Sequence, residues 1–219
     1  MSEQETTTGP ARTTYRHGDL RRALLEAGIA LARDGGPDAV VLREATRRAG
    51  VVPNAAYRHF ANRQDLLGAV RSAALAELAV AIERELSALI ALPSLDRVAL
   101  ARARMRAVGV GYLRFARAEP GLFHTAFAPS ENVRSPADPA KAGASGLNPF
   151  ELLGAALDGM LAAGIIDPAQ RPGAEYLAWA AVHGLSVLVI DGPLRDLPDN
   201  EVDALGHRLV AMVERGLAQ

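Results

Sequence analysis

The chain has 219 residues, 49% of them apolar and 22% charged, with a formal net charge of −1 and no cysteine. That length and apolar content give an ample core to one large domain, or to a small domain joined to a larger one. The lack of cysteine excludes disulfides and thiolate chemistry, which fits a reducing cytoplasm.

Residues 1–14 are polar, rich in Thr and without an apolar run, so they are expected to form a disordered arm rather than a signal peptide or membrane anchor. A first helix then opens at Tyr15-Arg16-His17-Gly18-Asp19-Leu20. Asp19 is its expected N-cap, and Leu20, Leu24, Ala27 and Leu31 form an apolar stripe at helical spacing. Asp34-Gly35-Gly36-Pro37 ends it. Two short helices follow, Leu42 to Ala49 and Pro53 to Phe60, the second with Pro at its permitted first position. Gly50 supplies the turn between them, because glycine reaches positive φ without a Cβ penalty. Leu20, Leu24, Val51 and Phe60 are the expected core of this three-helix unit. Over residues 40–63 the arginines Arg43, Arg47, Arg48, Arg58 and Arg63 face the single acid Glu44, a local excess of four positive charges. A helix-turn-helix with that charge suits phosphate contact, one helix lying in a DNA groove.

The run Ala49-Gly50-Val51, then Tyr57, His59, Phe60 and Arg63, then Asp65-Leu66-Leu67, resembles the TetR family of bacterial repressors, specifically so over residues 18–70. The resemblance implies a DNA-binding unit over residues 15–61. It assigns Tyr57 and His59 to phosphates, and Pro53, Asn54, Ala55 and Arg58 to base edges or backbone, with Arg43, Arg47 and Arg63 among the basic contacts. Arg58 has the fork to read guanine, but arginine serves phosphates equally well, and Tyr57 is also compatible with a half-buried packing role. Two positions depart from the family pattern. Val41 and Val52 stand where Ser or Thr usually caps the second and third helices, at a cost of about 1 kcal/mol per lost cap. Asn54-Ala55-Ala56 also replaces a Gly-Thr-Leu type of run.

Asn62 caps a long helix with Asp65 three residues on, and Leu75, Leu78, Ile82, Leu86 and Leu89 carry its stripe to about Ala91. No linker of Gly, Ser or Pro separates it from the motif, so it should transmit movement rigidly. Pro93 breaks it. Ser94 or Asp96 opens an arginine-rich helix that Glu119-Pro120 ends; its arginines read as a solvated face. A short aromatic helix, Gly121 to Phe127, comes next. Tyr112, Phe115, Phe123 and Phe127, joined by Leu157, Met160, Trp179 and His183, are the candidate lining of a ligand cavity, although such a set also suits plain core. Residues 129–147, with three prolines and two glycines, are expected to be a long mobile loop beside or over that cavity. Asn148-Pro149-Phe150-Glu151 is a clear helix start, and Ala163-Gly164 its end.

Residues 173–191 are apolar nearly all round and call for burial on two sides, while a last helix from about Asp199 carries Val202, Leu205, Leu209 and Met212. Pairing of 173–191 and 199–216 with their symmetry copies would build a four-helix homodimer interface. Trp179, His183 and Gly184 match a W-x-x-x-H-G spacing of one subgroup of TetR-like C-terminal domains. The five histidines show no H-x-x-x-H spacing, and no G-x-S-x-G or phosphate-binding glycine loop occurs, so neither catalysis, a metal nor a cofactor is expected. Apolar stretches such as Leu185 to Ile190 fall far short of the roughly 20 residues of a membrane span.

The expectation is therefore an all-α protein: a helix-turn-helix domain at 15–61 and a larger ligand-binding and dimerisation domain at 62–219. The resemblance implies a cytoplasmic, homodimeric repressor of operator DNA released by a small, largely apolar effector. The alternative is a TetR-shaped sensing or carrier module with weakened DNA binding.

Overall fold

The computed structural model describes residues 17–91, 95–129 and 138–218. The expected arm at 1–14, the break at Pro93 and the middle of the 129–147 segment lie outside them. Among the described residues the architecture is all-α, with helices α1 (His17–Ala39), α2 (Leu42–Arg48), α3 (Pro53–Ala56), α4 (Arg63–Ala88), α5 (Arg97–Ala118), α6 (Pro120–Phe127), α7 (Pro149–Ala162), α8 (Ala174–Ile190) and α9 (Asp199–Leu217).

Several ends follow from local side-chain chemistry. Asn62 caps α4 by accepting the Asp65 amide, and the Asp65 carboxylate accepts the Ala61 amide in return. Asp96, rather than Ser94, caps α5 through the Ala99 amide. At α7 the full reciprocal box forms: Asn148 accepts the Phe150 and Glu151 amides, and Glu151 accepts the Asn148 amide. Other ends differ from expectation. α1 is already helical at His17, the first described residue, so Asp19 lies within the helix rather than at its cap, and a kinked segment at Gly35 and Gly36 carries its helical span on to Ala39. α3 is a single turn, with Tyr57 to His59 continuing as turns rather than helix.

One continuous core runs through both ends of the molecule. Leu24, Phe60, Leu66, Val70, Leu78, Phe123, Leu157 and Leu217 all belong to it, and Val51 packs at its edge. α4 threads the core, packing on α1 at its start and on α5, α6 and α7 beyond. The start of α6 lies against the end of α1 so closely that a Cβ at Gly121 would fall 2.2 Å from the Ala32 carbonyl oxygen, which only glycine avoids. Arg33 of α1 reinforces this junction, bonding Glu77 of α4 at 2.5 Å and Glu119 at 3.0 Å.

The described part of the 129–147 segment is pinned to α4, contrary to the mobile loop expected there. Ser72 donates to Asp138 at 2.8 Å, and Glu83 accepts the Ala144 and Ser145 amides, each at 2.8 Å, and the Ser145 hydroxyl. These donors hold the Glu83 carboxyl below its ordinary value against the opposing effect of partial burial. The arginine face of α5 is solvated as expected but also paired: Arg102 with Glu214, Arg114 with Glu85, and Arg117 with Asp199 and Asp203.

Candidate functional site

The helix-turn-helix is built from a short-range stop. At the end of α2 the Val51 amide bonds the Thr46 carbonyl at 3.1 Å and the Gly50 amide bonds the Arg47 carbonyl at 3.3 Å, a Schellman closure that requires the φ of +66° at Gly50. Nothing lies within 4 Å of a Cβ placed there, so the backbone angle, not space, demands glycine. The closure turns the chain into α3. Ala56 is fully buried, Ala55 and His59 are half-buried, and Asn54, Tyr57 and Arg58 face solvent, Tyr57 at 57% exposure. A packing role for Tyr57 is thus poorly served in the single chain. Val41 caps α2 with no side-chain bond, as its aliphatic side chain requires, and Val52 is 69% exposed.

The motif's arginines divide by partner. Arg47 forms a fork with Glu44 at 2.6 and 2.9 Å, and Arg48 reaches Asp34 at 2.8 Å. The Arg47 bond pulls the half-buried Glu44 carboxyl below its ordinary value. Arg63 turns inward: its guanidinium donates to the carbonyls of Pro37 at 2.6 Å and Val40 at 2.9 Å, with Asp38 at 3.6 Å. It braces the exit of α1 against the start of α4, a task that its place in the motif had not suggested. Arg43 and Arg58 are exposed and pair with no acid among the described residues.

The larger domain holds a partly open cavity of about 850 Å³, within the range of small-molecule sites. α4 contributes Gly68, Arg71, Ser72, Leu75 and Ile82; α5 contributes Met105, Val108 and Tyr112; and α8 contributes Tyr176, Trp179 and Val182. Of the eight residues expected to line it, Tyr112, Phe127 and Trp179 do so. Phe115, Phe123, Leu157 and Met160 instead fill the core, each at 5% exposure or less, because their helices turn those faces toward neighbouring helices. His183 stands behind the wall. The Trp179 indole donates to the Tyr112 hydroxyl at 3.1 Å, and that hydroxyl meets His183 Nδ1 at 2.9 Å. The Tyr112 hydroxyl proton has no other acceptor among the described residues, which favours its donation to a neutral Nδ1. Burial disfavours charge on both partners, raising the Tyr112 pKa and lowering that of His183. Trp179 and His183 are one turn apart on α8 and clasp the same hydroxyl of α5, so their spacing has a structural basis.

Sequence reasoning missed the α4 wall, Gly68, Arg71 and Ser72, and the loop residues Asp138 and Lys141. The position of 129–147 beside the cavity was the available signal for the last two.

Comparison with known proteins follows the same two-part division. Residues 24–70 match the family described as bacterial regulatory proteins, tetR family, and residues 105–213 match the tetracyclin repressor-like C-terminal domain. A structure of a protein with unknown function from Rhodococcus sp. RHA1 is 30% identical, covering 95% of this chain and 100% of its own, with a TM-score of 0.71. A putative tetR family transcription regulator from Shewanella sp. PV-4 is 16% identical over 91% of this chain and 98% of its own, at a TM-score of 0.63. A TetR variant from Acinetobacter baumannii AYE in complex with minocycline is 18% identical over 91% and 95%, at 0.57. The search of curated proteins finds no match. With matched models at both ends and a 30% identical relative spanning nearly the whole chain, the protein belongs to the TetR family of bacterial regulators.

Proposed function

We propose that the protein is a dimeric repressor that holds operator DNA through paired helix-turn-helix motifs and releases it when a small molecule enters the 850 Å³ cavity. One observation carries this reading: α4 forms a wall of the cavity and, within the same continuous core, begins at the DNA-binding motif. A ligand that displaces α4 or α6 must shift α1, on which both pack. Because half-sites recur about one helical turn apart along DNA, a few ångströms of added separation between the motifs would prevent simultaneous engagement. The Acinetobacter neighbour's complex with minocycline is the same fold holding a small molecule.

The DNA face comprises Arg43, Pro53, Asn54, Ala55, Tyr57, Arg58 and His59, with Arg47 at its edge still half-committed to Glu44. Residues 15–61 form the DNA-binding unit, and 62–219 form the effector and dimer unit. Dimerisation uses the solvent-facing stripe of α8, Leu177, Gly184, Val187 and Leu188, with Met212 of α9. DNA as partner places the protein in the cytoplasm.

The test is binding of purified protein to DNA upstream of its own coding region at several salt concentrations. Repression requires an affinity that falls steeply with salt, since phosphate contacts release counterions. A second reading, a sensing module with weakened DNA binding, is favoured by the uncapped Val41 and the exposed Val52. Absence of any salt-sensitive affinity would select it.

A further inference from the structure

The cavity wall carries one charge that nothing in the described protein answers. Arg71, on α4, donates through Nη2 to the carbonyls of Ala128 at 2.6 Å and Pro129 at 3.2 Å, where α6 ends. Its Nε is buried and has no acceptor, and no carboxylate among the described residues lies within ion-pair distance. Burial alone acts on it, lowering its pKa. Arg33 and Arg171 show the contrast: each is also partly desolvated, but each faces two carboxylates and its pKa is raised. Arginine keeps its charge in such a site, so among the described residues the deficit at Arg71 is one of counter-charge.

The acids on the same wall are already engaged. Asp138 accepts the Ser72 hydroxyl and the Ala140 amide and sits in the field of Lys141, and Glu151 closes the α7 capping box. Lys141 adds a second cation to the lining. Beyond this polar end the walls are apolar, so a charged head at Arg71 would leave the rest of a ligand against hydrocarbon.

We propose that the effector is an amphipathic organic anion whose carboxylate or phosphate head is held by Arg71, its apolar body lying along Leu75, Ile82, Met105, Val108 and Val182. This rests on the cavity being the effector site. A head group at Arg71 supplies counter-charge through a charge-assisted bond to the guanidinium and engages the residue that ties α4 to the end of α6.

Trp179 is the only tryptophan in the chain and lines the cavity, so its fluorescence reports occupancy directly. Full-length protein is titrated at pH 8 with decanoate, decyl phosphate and decanol, which share a chain length and differ in head. At least one anion should shift Trp179 emission with an affinity about tenfold or more above that of decanol, and the tighter of the two identifies the head group. Arg71→Gln should bring the anions down to the level of decanol and leave decanol itself unchanged. Arg71→Lys, which keeps the charge and loses the fork, should retain part of the preference and serves if the Gln variant fails to fold. Equal affinities for anions and decanol, or a preference that survives Arg71→Gln, would overturn the proposal. Binding of decanol alone would do so while leaving the cavity as effector site, whereas no response to any probe would remove both readings.

Discussion

Arg58 and Arg63 carry the same charge five positions apart, yet their surroundings predict opposite consequences of removing them. Arg63 is bound to two backbone carbonyls that would otherwise lack this partner. Arg63→Ala should therefore lower unfolding stability by on the order of 1 kcal/mol, the usual worth of a charged hydrogen bond discounted for partial exposure. Arg58 has no such tie, and Arg58→Ala should leave the urea midpoint in place while weakening operator binding. A change confined to one base position would mark it as a base reader, and a uniform loss as a phosphate contact. The reverse pattern, stability following Arg58 and not Arg63, would contradict the placement of both. His183 makes a different residue-level prediction. Its Nδ1 accepts from Tyr112 only when unprotonated, and burial holds its pKa below the ordinary 6.5. On acidification the unfolded chain takes up this proton first, so the stability from the neutral pairing is complete above that ordinary value and is lost as pH falls. Melting temperature should drop between about pH 7 and pH 5 more steeply in the wild type than in His183→Gln. Parallel curves would show that His183 contributes nothing to the pH dependence.

At the level of elements, chemistry local in the chain was legible and chemistry assembled across it was not. The α7 start could be read because cap, proline and glutamate lie within four consecutive residues, and the α4 cap for the same reason. Arg63 could not, since its acceptors lie 23 and 26 positions away and are backbone carbonyls with no sequence signature. The cavity was half-legible. Aromatic content pointed to the right helices, but α4 is packed by α1, α5, α6 and α7 along its length, so its leucine stripe marks only one of several buried faces and hides the Gly68, Arg71 and Ser72 wall. The third helix is shorter than the expected Pro53 to Phe60, since proline at the first position signals a helix start but nothing local to the segment marks its end; only the first four residues are helical. The uncapped start of α2 was visible in sequence and persists in structure, with Val41 already in the extended conformation of a cap, φ −119° and ψ 127°. Val41→Thr should therefore stabilise the protein by about 1 kcal/mol, read as a higher urea midpoint. If the added hydroxyl also meets phosphate, affinity for DNA rises with it; an unchanged midpoint would mean that the α2 amides are not the limiting deficit.

For the whole molecule the decisive feature is what a single chain leaves uncovered. The apolar composition of α8 calls for burial on two sides, and one side is met by α5, α7 and α9. The other side presents Leu177 at 63% exposure, with Val187 and Leu188 further along and Met212 of α9 at 53%. A second copy meeting the same stripe would form an isologous four-helix contact. Such a dimer also fits the demand of the DNA, because one single-turn recognition helix reads too few bases and two-fold pairing doubles the site. Leu177→Arg places a charge within that contact, where it would be desolvated without a partner. Since Leu177 is exposed in the isolated chain, the substitution should leave helix content and single-chain folding largely intact. Sedimentation should then report a monomer at concentrations where the wild type is a dimer. Operator affinity should fall with it by several orders of magnitude, while Trp179 still responds to a ligand, because the cavity is built within one chain. A Leu177→Arg protein that remained dimeric and bound operator at full strength would move the interface away from α8 and α9, and with it the geometry by which a shift of α4 alters the spacing of the two motifs.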